Sequence, residues 1–185
     1  MSETAAGRPT VGVLVGSTRP VRIGRQLGDE ISALARERLD AEIRMLDLAE
    51  INLPWLDEPK MPAKGDYAHE HTLRWKQTID GLDGLIMVSP QYNGSIPAPL
   101  KNAIDTLYGE WENKPILLVT YGFRGGTLAA EHLETVFKII KAHLLEPRVA
   151  ITATDEDRIE AGTLADPAGL VGRSRAELDA GLRAL

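Results

Sequence analysis

The sequence predicts an α/β fold built on a parallel sheet, and two observations support this prediction. Short apolar runs alternate along the chain with segments whose apolar residues recur at helical spacing. Alternating strands and helices are typical of parallel sheets with right-handed crossovers. In addition, the first, third and fourth apolar runs each end in a turn rich in glycine and polar residues. Ligands bind beyond the carboxyl ends of such strands in open α/β sheets.

Five strands and the helices between them follow from this pattern in chain order. The apolar runs predict strands at 10–16, 42–47, 84–89, 115–120 and 148–152. Segments with helical periodicity predict helices at about 22–38, 67–80, 99–107 and 126–143. Pro99 suits the first turn of the third helix, because a proline there removes no helical hydrogen bond. Apolar residues at helical spacing between Leu170 and Leu182 predict a further helix.

The chain length indicates one ligand-binding domain with a C-terminal extension. Its 185 residues, 43% of them hydrophobic, are enough for a single domain with a substantial core. We expect a disordered terminus at 1–9, a ligand-binding domain at 10–152 and an extension with a helix at 153–185. The sequence leaves open whether this extension packs against the flank of the sheet or against a second subunit.

Composition excludes several classes of function. A net charge of −6 and a pI near 5.3 argue against nucleic acid as a partner. Without cysteine there are no disulfides, thiolate metal sites or thiol catalysis. The four histidines show no spacing typical of a metal site. We find neither a membrane-spanning apolar run nor a signal peptide, and therefore expect no membrane partner and a cytoplasmic protein.

The turn after the first strand has the composition of a phosphate site. Backbone N–H groups at a helix N-terminus bind anions, and hydroxyl and guanidinium groups add further donors. The candidate binding residues are Ser17, Thr18, Arg19, Arg22, Ile23 and Gly24, with Arg25 as a further positive charge. The turn has neither the triphosphate-loop nor the dinucleotide spacing, so a terminal phosphate monoester suits it best. Two alternatives remain open: solvated arginines, and a Gly24 that packs the helix closely against the sheet.

The turns after the third and fourth strands are suited to a flat aromatic ligand with polar edges. The first offers an aromatic face, an amide and a flexible backbone, through Pro90, Gln91, Tyr92, Asn93, Gly94 and Ser95. The second allows close approach of its backbone, through Tyr121, Gly122, Gly125 and Gly126. As alternatives, Tyr92 fills a gap between two subunits, and the glycines form a turn that begins a helix.

These motifs resemble those of the NADPH-dependent FMN reductase family, which belongs to the flavodoxin-like superfold and has azo-, quinone- and chromate-reducing members. The similarity extends over about 10–151. It lies in Gly-Ser-Thr-Arg at 16–19, Pro-Gln-Tyr-Asn-Gly-Ser-Ile-Pro at 90–97, Leu-Lys-Asn-Ala-Ile-Asp at 100–105 and Tyr-Gly-Phe-Arg-Gly-Gly at 121–126. Leu-Pro-Trp-Leu-Asp-Glu at 53–58 also resembles the loop after the second strand in that family.

The resemblance implies a fold and a cofactor. It implies a three-layer sandwich with strand order 2-1-3-4-5, and FMN bound with its phosphate at 17–22 and its ring against 90–93. It also implies NADPH or NADH as co-substrate and a homodimer or homotetramer. Many relatives have Glu where this chain has Gln91, and the missing negative charge is expected to favour the anionic reduced flavin slightly.

The function implied is an FMN-dependent NAD(P)H oxidoreductase with ping-pong kinetics. Hydride passes from the nicotinamide to flavin N5, and electrons then pass to a small-molecule acceptor: a quinone, an azo compound, free flavin or a metal oxyanion. The chemistry centres on the flavin, so no catalytic residue and no metal ligand are assigned. Two alternatives are open: a flavodoxin-like electron carrier or flavin-binding regulator without nicotinamide turnover, and a phosphate-binding domain without flavin.

Outside these turns, we expect structural roles for the conspicuous side chains. Asn102 follows the turn expected to bind the ring and is positioned to hold that turn through bonds from its side chain to the backbone, and Asp105 is positioned to pair with a cation on a helix face. Trp55, Trp75 and Trp111 are expected in the core or at an interface, although Trp111 lies near the predicted ring in sequence.

Overall fold

The sheet is parallel throughout in the computed structural model, which describes residues 7–159 and 161–185. Its strands are β1 (Thr10–Val15), β2 (Glu42–Asp47), β3 (Gly84–Pro90), β4 (Pro115–Gly122), β5 (His143–Leu144) and β6 (Val149–Thr152). Their order is β2-β1-β3-β4-β5, and β6 also pairs with β4. The fifth position of the predicted sheet is therefore filled by two short segments along one edge of β4. The predicted order 2-1-3-4-5 is confirmed.

Helices cover both faces of this sheet and give the predicted three layers. They are α1 (Gly24–Arg38), α2 (Leu48–Ile51), α3 (Glu70–Asp80), α4 (Ala98–Asp105), α5 (Thr127–Ile139), α6 (Pro167–Gly172) and α7 (Arg175–Ala184). One face of the sheet packs against α1, α6 and α7 through a cluster that includes Val13, Leu27, Val119 and Leu178. The opposite face packs against α3, α4 and α5 through a cluster that includes Trp75, Met87, Ile104 and Phe137.

The prediction of a helix through residue 143 was wrong at its C-terminal end. Helix α5 ends at Ile139, Lys141 has a left-handed φ of 56°, and His143 already belongs to β5. A left-handed residue costs free energy and terminates helical hydrogen bonding. The apolar run in this region includes Ile139 and Ile140, so periodicity alone does not reveal where the helix gives way to the edge strand.

The C-terminal extension packs against its own chain. Two helices, α6 and α7, replace the single helix expected between Leu170 and Leu182, with the break at Arg173 and Ser174. Leu170, Val171, Leu178 and Leu182 are buried in the same cluster as α1. Of the two alternatives for this segment, the structure therefore shows packing against the flank of the sheet.

The N-terminus leads directly into the sheet. Residues 7–9 are exposed and have no regular structure, while the Pro9 carbonyl accepts a hydrogen bond from the Glu42 N–H. The remainder of the segment expected to be disordered, residues 1–6, lies outside the described residues. Within the described part of the chain, every helix is too short or too polar to cross a membrane.

Candidate functional site

A cleft of about 580 Å³ lies beyond the carboxyl ends of β1, β3 and β4. The chain runs from β1 to β2 on one side and to β3 on the other, so the strand order reverses at this point. Open α/β sheets bind ligands at such a switch point. The turn after β1 forms one wall of the cleft, and the turns after β3 and β4 form the rest. The three turns selected from the sequence thus converge.

Arg22 is the best-anchored cation of the cleft. Its Nη2 lies 2.5 Å from Oδ2 of Asp47, whose side chain is fully buried at the end of β2. Its Nη1 donates to the Arg19 carbonyl, whereas its Nε is buried without a partner among the described residues. The solvated-arginine alternative is therefore wrong for Arg22. A buried N–H donor beside an open cleft is suited to an anionic oxygen from a ligand.

The other polar residues of the turn after β1 separate into different environments. Arg19 is exposed and lines the cleft with Ser17 and Ile23. Thr18 instead lines a neighbouring cleft of about 350 Å³ next to Trp55 and Asn102. Its side chain faces α2 and α4, because successive residues of an extended turn point in opposite directions.

Arg25 is bound to carboxylates on the outer side of α1. Its Nη1 lies 2.5 Å from Glu50 and 3.1 Å from Asp47, and its Nε donates to Asp29. The sequence suggested a phosphate-binding charge at this position, because no carboxylate occurs between 10 and 28. Carboxylates from β2 and α2 fold against it and neutralise that charge.

A pair of hydroxyl groups joins the turns after β1 and β3, and a third hydroxyl packs against the start of α1. Ser17 Oγ and the Tyr92 hydroxyl are 2.6 Å apart, although 75 residues separate them. The Tyr121 hydroxyl lies so close to Gly24 that a Cβ at that position would be 2.4 Å from it. Burial raises the pKa of Tyr121 well above its usual range, so its hydroxyl stays neutral. Gly24 thus has the close-packing role that the sequence left open.

The turn after β3 contributes its first residues to the cleft and its remaining residues to a tight turn. Pro90, Gln91 and Tyr92 line the cleft. Asn93 and Gly94 have φ values of 50° and 80°, and Tyr92 and Ser95 exchange backbone hydrogen bonds across them. This is the geometry of a two-residue hairpin turn in which both central residues are left-handed. Asn93 is exposed, and Ser95 lines a third cleft with Trp55 and His132.

Gln91 also anchors the helix that follows β4. Its side-chain oxygen accepts a hydrogen bond from the Leu128 N–H in the first turn of α5, at 3.0 Å. Its own N–H donates to the Tyr121 carbonyl. The two turns that form this wall of the cleft are therefore joined through one residue.

The glycines after β4 allow backbone to pack on backbone. Gly126 has a φ of 71°, and a Cβ there would lie 2.9 Å from the Tyr121 nitrogen. Gly125 packs against Ala150 of β6, where a Cβ would be 2.8 Å from that side chain. Gly122 and Gly126 line the cleft, and Gly125 lies behind it. Both alternatives from the sequence hold here, because this wall of the cleft is also the turn that begins α5.

Several cleft residues were missed in the sequence. Phe123 is 64% exposed at the mouth of the cleft, and further lining comes from Val21, Arg124, Thr127, Leu128 and Arg158. Phe123 and Arg124 lie inside the Tyr-Gly-Phe-Arg-Gly-Gly motif at 121–126, so their place in that motif could have identified them as cleft residues. Arg158 comes from the C-terminal extension, where no motif marks it. With these residues included, the described lining contains four arginines and no carboxylate.

The supporting residues have structural roles, as the sequence predicted, although Asn102 acts on a different loop. Asn102 donates to the Pro54 carbonyl and accepts from the Leu56 N–H, both at 2.8 Å, so it holds the loop after α2 and not, as the sequence predicted, the loop that precedes its own helix. Asp105 pairs with Lys101 on the face of α4. Trp111 is fully buried against Phe137 and is a core residue.

Comparison with known proteins identifies the family. The family model described as NADPH-dependent FMN reductase matches residues 9–156. An NAD(P)H-dependent FMN reductase of Schizosaccharomyces pombe is 37% identical over 162 residues, which are 86% of this chain and 80% of that protein. The chain belongs to the NADPH-dependent FMN reductase family. A 2-hydroxy-1,4-benzoquinone reductase of Burkholderia is 31% identical, over 82% of both chains.

A solved structure agrees with this family membership. The flavoenzyme NAD(P)H:(acceptor) oxidoreductase FerB from Paracoccus denitrificans superposes with a TM-score of 0.68 at 27% identity, covering 95% of this chain and 98% of that one. Membership in the FMN reductase family assigns FMN as the cofactor and NAD(P)H as the co-substrate.

The residues of the cleft fit FMN. The described lining has positive charge and hydroxyl groups without a carboxylate, and the buried Nε of Arg22 has an unused donor. The first turn of α1 carries no acidic residue, and within the described chain no side chain caps its N-terminus. Both features favour a phosphate there. The volume of the cleft is in the range of cofactor sites, about 300–1,000 Å³.

Proposed function

We propose that this FMN reductase binds FMN in the cleft between the turns after β1, β3 and β4, oxidises NAD(P)H there and reduces a small-molecule acceptor. One observation carries the proposal: a single cleft is lined both by the turn suited to phosphate and by the two turns suited to a flat ring. Bound FMN supplies the redox chemistry, accepting hydride from a nicotinamide and releasing electrons to an acceptor.

The phosphate end of the site is proposed to lie at the N-terminus of α1. Ser17, Arg19 and Arg22 bind the phosphate there, with Ile23 packing below them. Asp47 holds the Arg22 guanidinium in place, because the ion pair at 2.5 Å fixes one edge of the planar group. The bond from Nη1 to the Arg19 carbonyl fixes the guanidinium to the turn as well.

The ring end of the site is proposed to lie between the turns after β3 and β4. Pro90, Gln91 and Tyr92 line one side, and Gly122 and Gly126 line the other, with only backbone filling the space. The exposed Phe123 borders the open side, where a nicotinamide and then an acceptor are stacked in turn. The described lining offers no carboxylate, histidine or lysine, so the chain's own part is binding and orientation.

A quinone or an azo compound is the proposed acceptor, with free flavin or a metal oxyanion as further substrates. The reductase names of the Burkholderia and Staphylococcus haemolyticus relatives, for a benzoquinone and for azo compounds, support this choice. Because donor and acceptor use the same face of the ring in turn, ping-pong kinetics are expected. When both substrates are varied, double-reciprocal plots of the initial rate should therefore give parallel lines. Intersecting lines would argue against shared use of one face.

The experiment that tests the proposed function is anaerobic rapid mixing of the FMN-loaded protein with NADPH and, separately, with NADH. We expect loss of the oxidised-flavin absorbance within the turnover time, and its recovery when a benzoquinone is added. A protein that retains FMN but is not reduced by either nucleotide is an electron carrier or regulator instead. The ratio of the two reduction rates also gives the nucleotide preference.

We propose that the enzyme is a homodimer or a homotetramer that associates through the loop between α2 and α3. Trp55 and Met61 are 68% and 67% exposed there, and Leu56 is also exposed. Asn102 pins this loop to α4, so its apolar side chains are presented on an ordered surface. Ordered exposed apolar patches are typical of protein interfaces.

The NAD(P)H requirement leads us to propose a cytoplasmic location, since that compartment holds the reduced nucleotide pool. Fractionation of cells that express the tagged full chain tests this directly. Recovery with the cytoplasmic fraction is expected, and recovery elsewhere contradicts it.

A further inference from the structure

A short hairpin in the C-terminal extension reaches the cleft from outside the family match. The hairpin consists of residues 157–159 and 161–165, beyond the matched range 9–156. It is closed by a bridge between Arg158 and Leu164 and by backbone hydrogen bonds from Ile159 to Thr163 and from Ala165 to Asp157. The hairpin therefore lies outside the stretch that the family model matches.

The hairpin is docked on the turn that begins α1. The Leu164 N–H donates to Gln26 Oε1 at 2.9 Å, and Gln26 Nε2 donates back to the Leu164 carbonyl at 3.4 Å. Leu164 itself is only 4% exposed and belongs to the core next to α1. At the tip, a Cβ on Gly162 would lie 3.1 Å from a Val21 methyl group. The hairpin is thus fixed to the same turn that carries Ser17 and Arg22.

This docking places the Arg158 guanidinium on the cleft. Arg158 is a lining residue, and its Nε is buried without a hydrogen-bond partner among the described residues. The adjacent carboxylate, Asp157, is already bound to Arg173 at 2.7 Å and to the Thr154 N–H at 2.8 Å. A buried N–H donor left unpaired costs free energy, which an anionic oxygen in the cleft would recover.

Arg158 and Arg22 both line the cleft with a guanidinium whose Nε has no hydrogen-bond partner among the described residues. Both have a buried, unpartnered Nε, and both positive charges lie close enough to act on the Tyr121 hydroxyl, lowering a pKa that burial raises. Tyr121 in turn packs against Gly24 at the start of α1. Because its hairpin is docked on Gln26 and Val21, Arg158 reaches the cleft at the end where α1 begins.

We propose that Arg158 is an additional binding residue for the FMN phosphate, delivered by the docked C-terminal hairpin. This inference rests on the proposed function, since it presupposes FMN in the cleft. The phosphate would then be held by guanidinium groups from two separate segments, the turn after β1 and the hairpin. Closure of the cleft at this end depends on Gln26, which acts as a positioning residue through Leu164.

The test compares FMN with riboflavin, which has the same ring but no phosphate. The apoprotein of the full chain is titrated with each flavin, and binding is followed by quenching of flavin fluorescence. For Arg158→Gln we expect a roughly tenfold higher Kd for FMN, typical of one lost charge-assisted hydrogen bond, and an unchanged Kd for riboflavin. Arg158→Lys is expected to recover part of the FMN affinity, because it keeps the positive charge but not the paired N–H donors of the guanidinium.

Two further variants make the result specific. Arg183→Gln removes the same charge from the exposed end of α7 and should leave both Kd values unchanged. Gln26→Ala removes the two hydrogen bonds to Leu164 and should weaken FMN binding but not riboflavin binding. Circular dichroism of each variant verifies that it is folded.

Three outcomes overturn the proposal. An unchanged FMN affinity in Arg158→Gln shows that the guanidinium does not bind the phosphate. The same conclusion holds if the KM for NADPH rises while the Kd for FMN stays the same. An equal loss for FMN and riboflavin shows a general structural effect. If the wild-type apoprotein binds neither flavin, the proposed function itself fails, and this result is distinct from the other two.

Discussion

Asp47 anchors the arginine of the turn after β1, although it is not itself among the residues that line the cleft. Its side chain is fully buried at the end of β2 and binds Arg22, Arg25 and the Ala49 N–H. The sequence predicted the arginines but not this partner, because 25 residues separate Asp47 from Arg22. Only the parallel pairing of β1 with β2 brings them together.

Replacing Asp47 with Asn tests this role. The variant keeps an acceptor for the Ala49 N–H but leaves two guanidinium groups without their shared charge, so the free energy of unfolding should fall by about 2 kcal/mol. FMN affinity should fall with it, because Arg22 loses its anchor. Chemical denaturation of the apoprotein measures the first effect. Asp29→Asn, which removes a half-exposed partner of Arg25, should change stability by less than about 0.5 kcal/mol; an equal effect of both variants would contradict the argument.

Gln91 leaves the position next to the proposed ring uncharged. The second prediction at the scale of single residues concerns its replacement with Glu. The fold should be retained, because a carboxylate also accepts from the Leu128 N–H and suits the N-terminus of α5. The midpoint potential of bound FMN should become more negative, because the new charge disfavours the anionic reduced cofactor. Potentiometric titration measures this, with Gln77→Glu on the exposed face of α3 as a control. An unchanged or more positive potential in the Gln91 variant would refute it.

At the scale of elements, α1 depends on a close approach to the end of β4. Gly24→Ala would place a methyl group 2.4 Å from the Tyr121 hydroxyl and 3.3 Å from its ring carbon. We expect this overpacking to lower the free energy of unfolding by about 1–3 kcal/mol. Removing the hydroxyl should relieve it, so the double variant Gly24→Ala with Tyr121→Phe should be more stable than the sum of the two single changes predicts.

Thermal unfolding of the four apoproteins gives this coupling without any ligand. A favourable interaction between the two substitutions supports packing as the role of Gly24. Strict additivity would show instead that Gly24 has another role, such as contact with the phosphate.

The elements themselves were largely predictable, because most of them have a strong local pattern. The five predicted strands and the helices between them follow from apolar periodicity, and the three turns of the candidate site from their unusual composition. The two-residue edge strand β5 and the four-residue helix α2 are too short to produce such a pattern. The errors occur where tertiary contacts override local pattern. Helix α5 ends early because Lys141 turns left-handed before the edge strand begins, and the extension breaks into two helices at Arg173 and Ser174.

The candidate site was predictable in its location but not in its detail. The resemblance and the switch-point rule place the three turns together. They do not tell which side chains face inward, so Thr18 turns to a neighbouring cleft and Asn93 forms the tip of a hairpin. Arg158 could not be found from sequence, because it reaches the cleft through a docking contact between Gln26 and Leu164 that spans 138 residues.

At the scale of the whole molecule, the exposed loop around Trp55 predicts self-association. Trp55→Lys should shift the protein toward the monomer, because it places a charge at the centre of an apolar patch. Size-exclusion chromatography with light scattering measures the mass. Ile139→Lys makes the same change at another exposed apolar position, at the end of α5, and should leave the mass unchanged. A wild-type monomer, or a Trp55 variant with wild-type mass, would disprove the assignment of this interface.

The arrangement of charge also acts at this scale. The chain has a net charge of −6, yet the described lining of the cleft has four arginines and no carboxylate. A positive cleft in a negative molecule concentrates anionic ligands at one place and repels them elsewhere. FMN and the reduced nicotinamide nucleotides are both anionic, so the positive charge of the cleft agrees with the proposal that both bind there.

The most direct test of the account is a crystal structure of the full chain with FMN. We predict density for the phosphate at the N-terminus of α1, within hydrogen-bond distance of Ser17 and Arg22, and for the ring between the turns after β3 and β4. Density for FMN elsewhere, or for a phosphate that points away from α1, would contradict the assignment of this cleft.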